Sequence, residues 1–463
     1  MVNFLLPITF FSKMYTYSLA EPMTMVAFPF FVIAILFRLY QQPLLWKKIV
    51  PSKTAFVMGL FVWVVQFATI LSSYMHVGES KVTWGLIHSL INLGGWTVAV
   101  YLSWAVIQLF VRSEKDEKKF VKSGLIALLI YLIFVIFPQI LVTLHVERLN
   151  GYVNTLASFF ESHWQAHGDY NFYANGSYAT TLYRVNGFEP EASYLANMLS
   201  VIYLPILVGL SASGYQLWNR LKTAKQNVIV NVLFTFTIMG TLVLARTSTG
   251  IFAAVIAFIL WVLWSRGYLR LSIISVALLG VLLLAVGYSS VPTIHNTLNQ
   301  FLFAKQGTDN RTGGTIALAL TFLSHPLTGV GTGFTSYFTI QNIPEIFTHN
   351  FEYEHVYSQY GFPILSEVMG WFASFGLVVM LPAIYLLIRL VARSFLKTYR
   401  IDHANLNVFD IKWDQTLHIA FITMIVMIAF SSIFIIRIYL WPYLLMFFFY
   451  REHLIRAEKE LQS

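Results

Sequence analysis

Residues 228–264 read VIVNVLFTFTIMGTLVLARTSTGIFAAVIAFILWVLW, and the only charged side chain in the stretch is Arg246. A helix needs about 20 apolar residues to cross a bilayer, and this run is roughly twice that length. It must therefore fold back on itself as two membrane helices, 228–245 and 247–264. The turn falls in Ala245-Arg-Thr-Ser-Thr-Gly250. That hairpin sets the fold class: an all-α, polytopic integral membrane protein.

Working outward, the same reading finds apolar spans at 23–37, 54–74, 82–111, 124–144, 191–217, 271–288, 363–390, 417–436 and 438–450. The 82–111 span is long enough to be tilted or broken near Gly94-Gly95. With the hairpin, this predicts about eleven transmembrane helices. Residues 1–22 fit a short interfacial or re-entrant piece; Pro7, Lys13 and Glu21 interrupt them, against a signal-peptide pattern. The composition agrees, with 57% hydrophobic and 11% charged residues, where soluble domains carry about a quarter charged. One membrane domain, 1–463, is expected. There is no cysteine, which excludes disulfides and thiolate chemistry.

The net charge of +9 does not point to nucleic acid. Lys and Arg gather at 47–53, 112–122, 220–225, 266–270, 389–400 and 451–459. If every span crosses, these clusters share one face, which the positive-inside rule makes cytoplasmic. The opposite face then holds two large loops, 145–190 and 291–362, with short helices expected in the second, and the turns at Arg246 and Arg437.

The polar residues with chemistry concentrate on that opposite face. Arg246, with the Ser248 and Thr249 hydroxyls beside it, could bind phosphate through its fork of donors. Arg437 sits in a similar turn without hydroxyls and reads as an interfacial anchor. Arg311 stands just before a segment that reads as a helix after Gly314, a natural anion site. His325, His349 and His355 are candidate general bases. Glu352 and Glu354 lie between His349 and His355, but the spacing matches no metal motif. Gly329-Val-Gly-Thr-Gly333 lacks the Gly-Lys-Ser/Thr ending of a phosphate loop and reads as a tight turn. Arg184 precedes two carboxylates, Glu189 and Glu191, where the chain re-enters the membrane. Aromatics of the first loop, among them Phe160, Trp164, Tyr170, Tyr173, Tyr178 and Tyr183, suit either sugar stacking or the interfacial belt.

Four of these segments, in this order, resemble a known family. Arg184-x-x-Gly187…Glu191-Ala-Ser193 resembles the R-x-x-G…E-P-S signature of bacterial polysaccharide polymerases. Arg246-Thr-Ser-Thr-Gly250 is similar to their S-R-T/S-G turn. Arg311, then His325-Pro326-Leu-Thr-Gly329-Val-Gly331-Thr-Gly333, resembles R…H-P-l-x-G-x-G-x-G, and His349-Asn350 resembles the H-N before the next helix. The family is the Wzy-type polysaccharide polymerase and O-antigen ligase superfamily. Two departures stand out. Ala192 occupies the signature's proline position while Pro190 precedes the glutamate, so Glu189 and Glu191 compete for one role. Arg246 lies before the serine, not after it.

The resemblance implies an inverting glycosyltransferase of the bacterial cytoplasmic membrane, multi-pass, with its active site facing outward. It would use no metal and no cofactor. Donor and acceptor would both be oligosaccharide repeats linked to polyprenyl pyrophosphate, with the lipid bilayer as setting and a flippase and a chain-length regulator as partners. Arg246 and Arg311 would stabilise the leaving pyrophosphate. His349 would act as base, and Glu191 would orient the acceptor. Arg184, Glu189, His325, His355, Ser248 and Thr249 complete the expected binding set. Two alternatives share the chemistry: a ligase moving finished glycan to another acceptor, and a flippase of lipid-linked oligosaccharide. A flippase should show charges along a path through its helices and a two-fold hydropathy repeat; this chain keeps its polar residues on one face.

Overall fold

The computed structural model describes residues 27–163, 171–218, 221–290, 309–403, 411–430 and 436–461. The expectations for residues 1–22, Trp164, Tyr170, Arg220 and residues 291–308, and for the side chains of Ser248 and Arg437, lie outside these.

Among the described residues all regular structure is helical. Eight helices are long and apolar enough to span a membrane: α2 (Lys53–Val77), α3 (Gly85–Phe110), α4 (Glu114–Thr143), α6 (Ala192–Ser213), α7 (Ala224–Leu244), α9 (Gly267–Ser290), α12 (Glu367–His403) and α13 (Ile411–Phe430). Two apolar helices are shorter, α1 (Ala27–Gln41) and α8 (Ser248–Trp264), and α14 (Ile436–Glu460) closes the chain. Three more of eight residues or longer lie outside the spans: α5 (Asn150–Phe160), α10 (Asp309–Ser324) and α11 (Thr335–Asn342). The bundle is built as lipid exposure demands. α2 presents Phe56, Val57, Phe61, Val64 and Phe67 outward, which water would penalise and hydrocarbon does not. α6 is buried almost all round and forms the axis on which α7, α8 and α13 assemble.

Several local expectations are corrected. α3 runs unbroken through Gly94-Gly95. A glycine costs a helix about 1 kcal/mol against alanine, but a broken backbone in hydrocarbon leaves polar groups with no water to satisfy them. α4 starts at Glu114, so the basic 112–122 segment is largely helix and not loop. Ser113 and Asp116 close a reciprocal capping box over its first turn, and Glu114, Asp116 and Glu117 favour that end electrostatically. α12 continues well past residue 390, to His403. Pro138 and Pro205 lie within α4 and α6 without ending them. Each is accommodated by a widened π turn, Leu132–Ile136 before Pro138 and Leu199–Tyr203 before Pro205, which relieves the clash of the ring with the preceding turn.

The break in α12 is at Gly376 (φ 62°, ψ −177°), and the glycine-rich segment fills it. Val330 and Gly331 donate their N–H groups to the Ala373 and Ser374 carbonyls (2.8 and 3.0 Å). Beyond the break, Leu377 and Val378 donate to Pro326 and Leu327 (2.8 and 2.9 Å). Ser73 of α2 donates to the Val330 carbonyl and Gln66 to that of Ser374. Irregular backbone inside a bundle is tolerated only when it is satisfied in this way. A Cβ at Gly329 would stand 2.5 Å from the Ala373 oxygen, at φ 69°. Gly329→Ala therefore combines a left-handed backbone penalty of about 1–2 kcal/mol with a collision against backbone that cannot yield. We expect a loss of at least about 2 kcal/mol, read as a lower unfolding temperature of the detergent-purified protein; an unchanged temperature would contradict the close packing.

At the other end of α6, α4, α12, α13 and α14 are tied by buried charges. Glu117 accepts from Trp413 Nε1 (2.9 Å), contacts His453 Nδ1 (3.0 Å) and pairs with Arg456. His453 Nε2 reaches Asp414 (2.9 Å), which also pairs with Lys397.

Candidate functional site

Three separate segments meet at the loop end of the bundle. The first is the re-entry before α6. Glu191 is its N-cap residue, in extended conformation (φ −148°, ψ 157°), with no side-chain capping bond. Its carboxylate instead accepts from Ser193 (3.2 Å). The second is the α7–α8 turn. Arg246 adopts a left-handed backbone (φ 51°), unusual for a non-glycine residue, and this makes the turn tight enough for two helices to reverse within it. Its Nη1 donates to the Tyr183 carbonyl (3.2 Å). The third is the first turn of α10. The helix begins at Asp309, so Arg311 lies within that turn, not before it. Its Nη1 donates to Thr249 Oγ1 (2.8 Å), a buried hydroxyl of α8.

Arg184 joins this group from the first loop. Its guanidinium carbon sits 6.0 Å from the centroid of the Tyr178 ring, within cation–π range. Its Nε is buried with no hydrogen-bond partner among the described residues. Burial, and then the Arg184 charge beside it, push the Arg246 guanidinium below its ordinary range. Burial raises Glu191 above the usual carboxylate range, and Arg184 and then Arg311 pull it back. Tyr178 is pushed up to about 12, by burial first, so it stays a phenol. Neither Arg184 nor Arg311 forms a close ion pair with a carboxylate among the described residues. Half-buried like charges held together in this way are poised to take an anion.

Local geometry gives Glu189 and Glu191 different surroundings. Glu189 closes a turn back to Asn186 (3.0 Å) and is fully buried, near Tyr131, Tyr203 and Tyr443. Glu191 faces the arginines. The three expected histidines are all exposed. His325 packs edge-on against Phe338 and His355 stacks on Phe351. Among the described residues no hydrogen bond or ion pair joins any of the three to the arginines or to Glu191. Asn350 serves the scaffold: its amide exchanges two 2.9 Å hydrogen bonds with that of Asn310, which also donates to Glu352. This clasp fixes the turn carrying Arg311 to the 345–357 segment.

Sequence reasoning gave Asn310 no part in the site, named Tyr178 only among the loop aromatics and Glu352 only beside a metal motif. A shallow surface cleft lies beside Thr249 between α8 and α13. Asn197 and Ser200 line its polar side, and half-exposed Phe252 and Phe430 line its apolar side. A comparison with family models finds none that matches the chain. A comparison with curated proteins also finds no match.

Proposed function

We propose that this chain is a membrane glycosyltransferase of the bacterial cytoplasmic membrane. It polymerises oligosaccharide repeats linked to polyprenyl pyrophosphate, and works on the outer face. The observation that carries the reading is the convergence of three segments distant in sequence: Arg184 and Arg311 face Glu191, and Arg246 lies beside Arg184. Pyrophosphate leaving an anomeric carbon develops negative charge, and preorganised guanidinium groups are the side chains suited to it. Counting α1, α8 and α14 with the eight long helices gives eleven crossings, which would put all six basic clusters on the cytoplasmic face.

A deletion strain tests the reading through its glycans. Loss of long chains with single repeats accumulating on the lipid carrier, outside, is the expected result. Long chains still attached to lipid would identify a ligase, and repeats trapped inside would identify a flippase.

A further inference from the structure

Two carboxylates stand beside the arginine cluster, and their surroundings differ. Glu352 belongs to the 345–357 segment. Its Oε2 accepts from the Asn310 amide (2.9 Å) and from the Tyr357 hydroxyl (3.3 Å). It is therefore fixed by the residue next to Arg311. Glu191 has a single side-chain donor, the Ser193 hydroxyl on Oε2 (3.2 Å). Its Oε1 accepts no hydrogen bond among the described residues. Glu191 is half-buried, and although it is the N-cap of α6 its side chain makes no capping bond. The helix does not use this carboxylate, so it is left to serve the site.

An inverting transfer needs its base and its leaving group on opposite faces of the reacting carbon. Arg184 and Arg311 both bear on the Glu191 charge, yet no ion pair among the described residues joins either of them to it. A carboxylate that faces the guanidiniums without closing on them is disposed for the base's place. Burial holds Glu191 above the usual carboxylate range, against the pull of Arg184, Arg311 and the Ser193 hydroxyl, and the charge of Glu352 adds to the rise. A carboxylate raised in this way is the better proton acceptor. Two carboxylates in unlike surroundings can divide the work of one site. His325, His349 and His355 are exposed and joined neither to the arginines nor to Glu191.

We propose that Glu191, and not a histidine, is the proton acceptor of the transfer reaction, an inference that rests on the glycosyltransferase reading. The acceptor sugar's hydroxyl oxygen bonds to the donor's anomeric carbon as the bond from that carbon to the pyrophosphate oxygen breaks. The electron pair of the broken bond leaves with the pyrophosphate, towards Arg184, Arg246 and Arg311. The hydroxyl proton passes to Glu191 Oε1 and from there to water. Ser193 and Glu352 are positioning residues that act through Glu191. The ionisable groups facing Glu191 are Arg184, Arg311, Glu352, Tyr178 and Tyr194, with Arg246 beyond Arg184.

The test uses membranes of the deletion strain, loaded with their own accumulated lipid-linked repeats and complemented with variants. Glu191→Gln, which keeps the shape, is expected to lower turnover by about 10²-fold or more, with little change in the repeat concentration giving half-maximal rate. Added formate should restore part of the rate to Glu191→Ala. The protonated acid cannot accept, so the wild-type rate should fall as pH drops, along a limb lying above the usual carboxylate range. Glu191→Gln should lose that limb. Ser193→Ala removes a donor to the charged form and should move the limb to higher pH. Glu352→Gln removes a like charge and should move it to lower pH. Two residues that merely hold the fold would not shift it in opposite directions, and this pair serves where Glu191→Gln fails to accumulate. A Glu191→Gln rate near wild type, a limb unmoved in both neighbours' variants, or loss of the limb in His349→Ala instead, overturns the assignment while Arg311→Ala still abolishes product. Intact long-chain glycan in the deletion strain overturns the parent reading and this inference together.

Discussion

Replacing Arg311 with alanine is expected to abolish long-chain glycan while leaving the protein folded. The guanidinium is anchored by one N–H to Thr249 on α8, which orients the rest of its fork without neutralising it. Removing one preorganised donor to a developing oxyanion costs about 10²–10³-fold in rate. A pyrophosphate group has several oxygens to lose, so this is a lower figure for a whole arginine. Arg311→Lys keeps the charge as a point but not the planar fork, and an intermediate chain yield is expected. The surrounding fold has little stake in the side chain. The α10 turn is held by the Asn310–Asn350 amide pair, and Gly313 and Gly314 pack directly against Phe347 and Phe362. Normal elution on size exclusion with only single repeats in the glycan profile is the supporting result. A normal ladder of long chains would remove Arg311 from the chemistry.

Much of this arrangement is legible in the sequence, for identifiable reasons. The α7–α8 hairpin can be read because a lone arginine in a double-length apolar run has only one place to go. The three arginines can be picked out because charge is costly in such a chain. Their convergence cannot be read, because it depends on where α8 and α10 pack. The glycine segment reads as a turn, but its partner, the break at Gly376, lies 43 residues beyond Gly333 (376 − 333), and nothing local announces the pairing. Glu189 and Glu191 look equivalent, and one turn closed by Asn186 separates them.

The second large effect is expected at the far end of α6, roughly 30 Å away by helix rise. Glu117→Ala strands Arg456, His453 and the Trp413 N–H, all of which converge on that one buried carboxylate. Removing one member of a buried charge network costs about 3–5 kcal/mol, because the partners stay desolvated and unpaired. A fall in unfolding temperature large enough to report several kcal/mol is therefore expected in detergent, whereas a loss under about 1 kcal/mol would show the network to be solvated. The same variant separates stability from chemistry. α6 is the shared element: Gly209 packs so closely on the Thr416 carbonyl that a Cβ would come within 2.4 Å, and Ser213 hydrogen-bonds Thr416 (2.7 Å). Its opposite end carries Glu191. If α6 acts only as a rigid strut, Glu117→Ala reduces the amount of folded protein but not the chain length each folded molecule makes. A shortened ladder at equal folded protein would mean that the charge network sets the position of Glu191, making the two ends of α6 one mechanical unit.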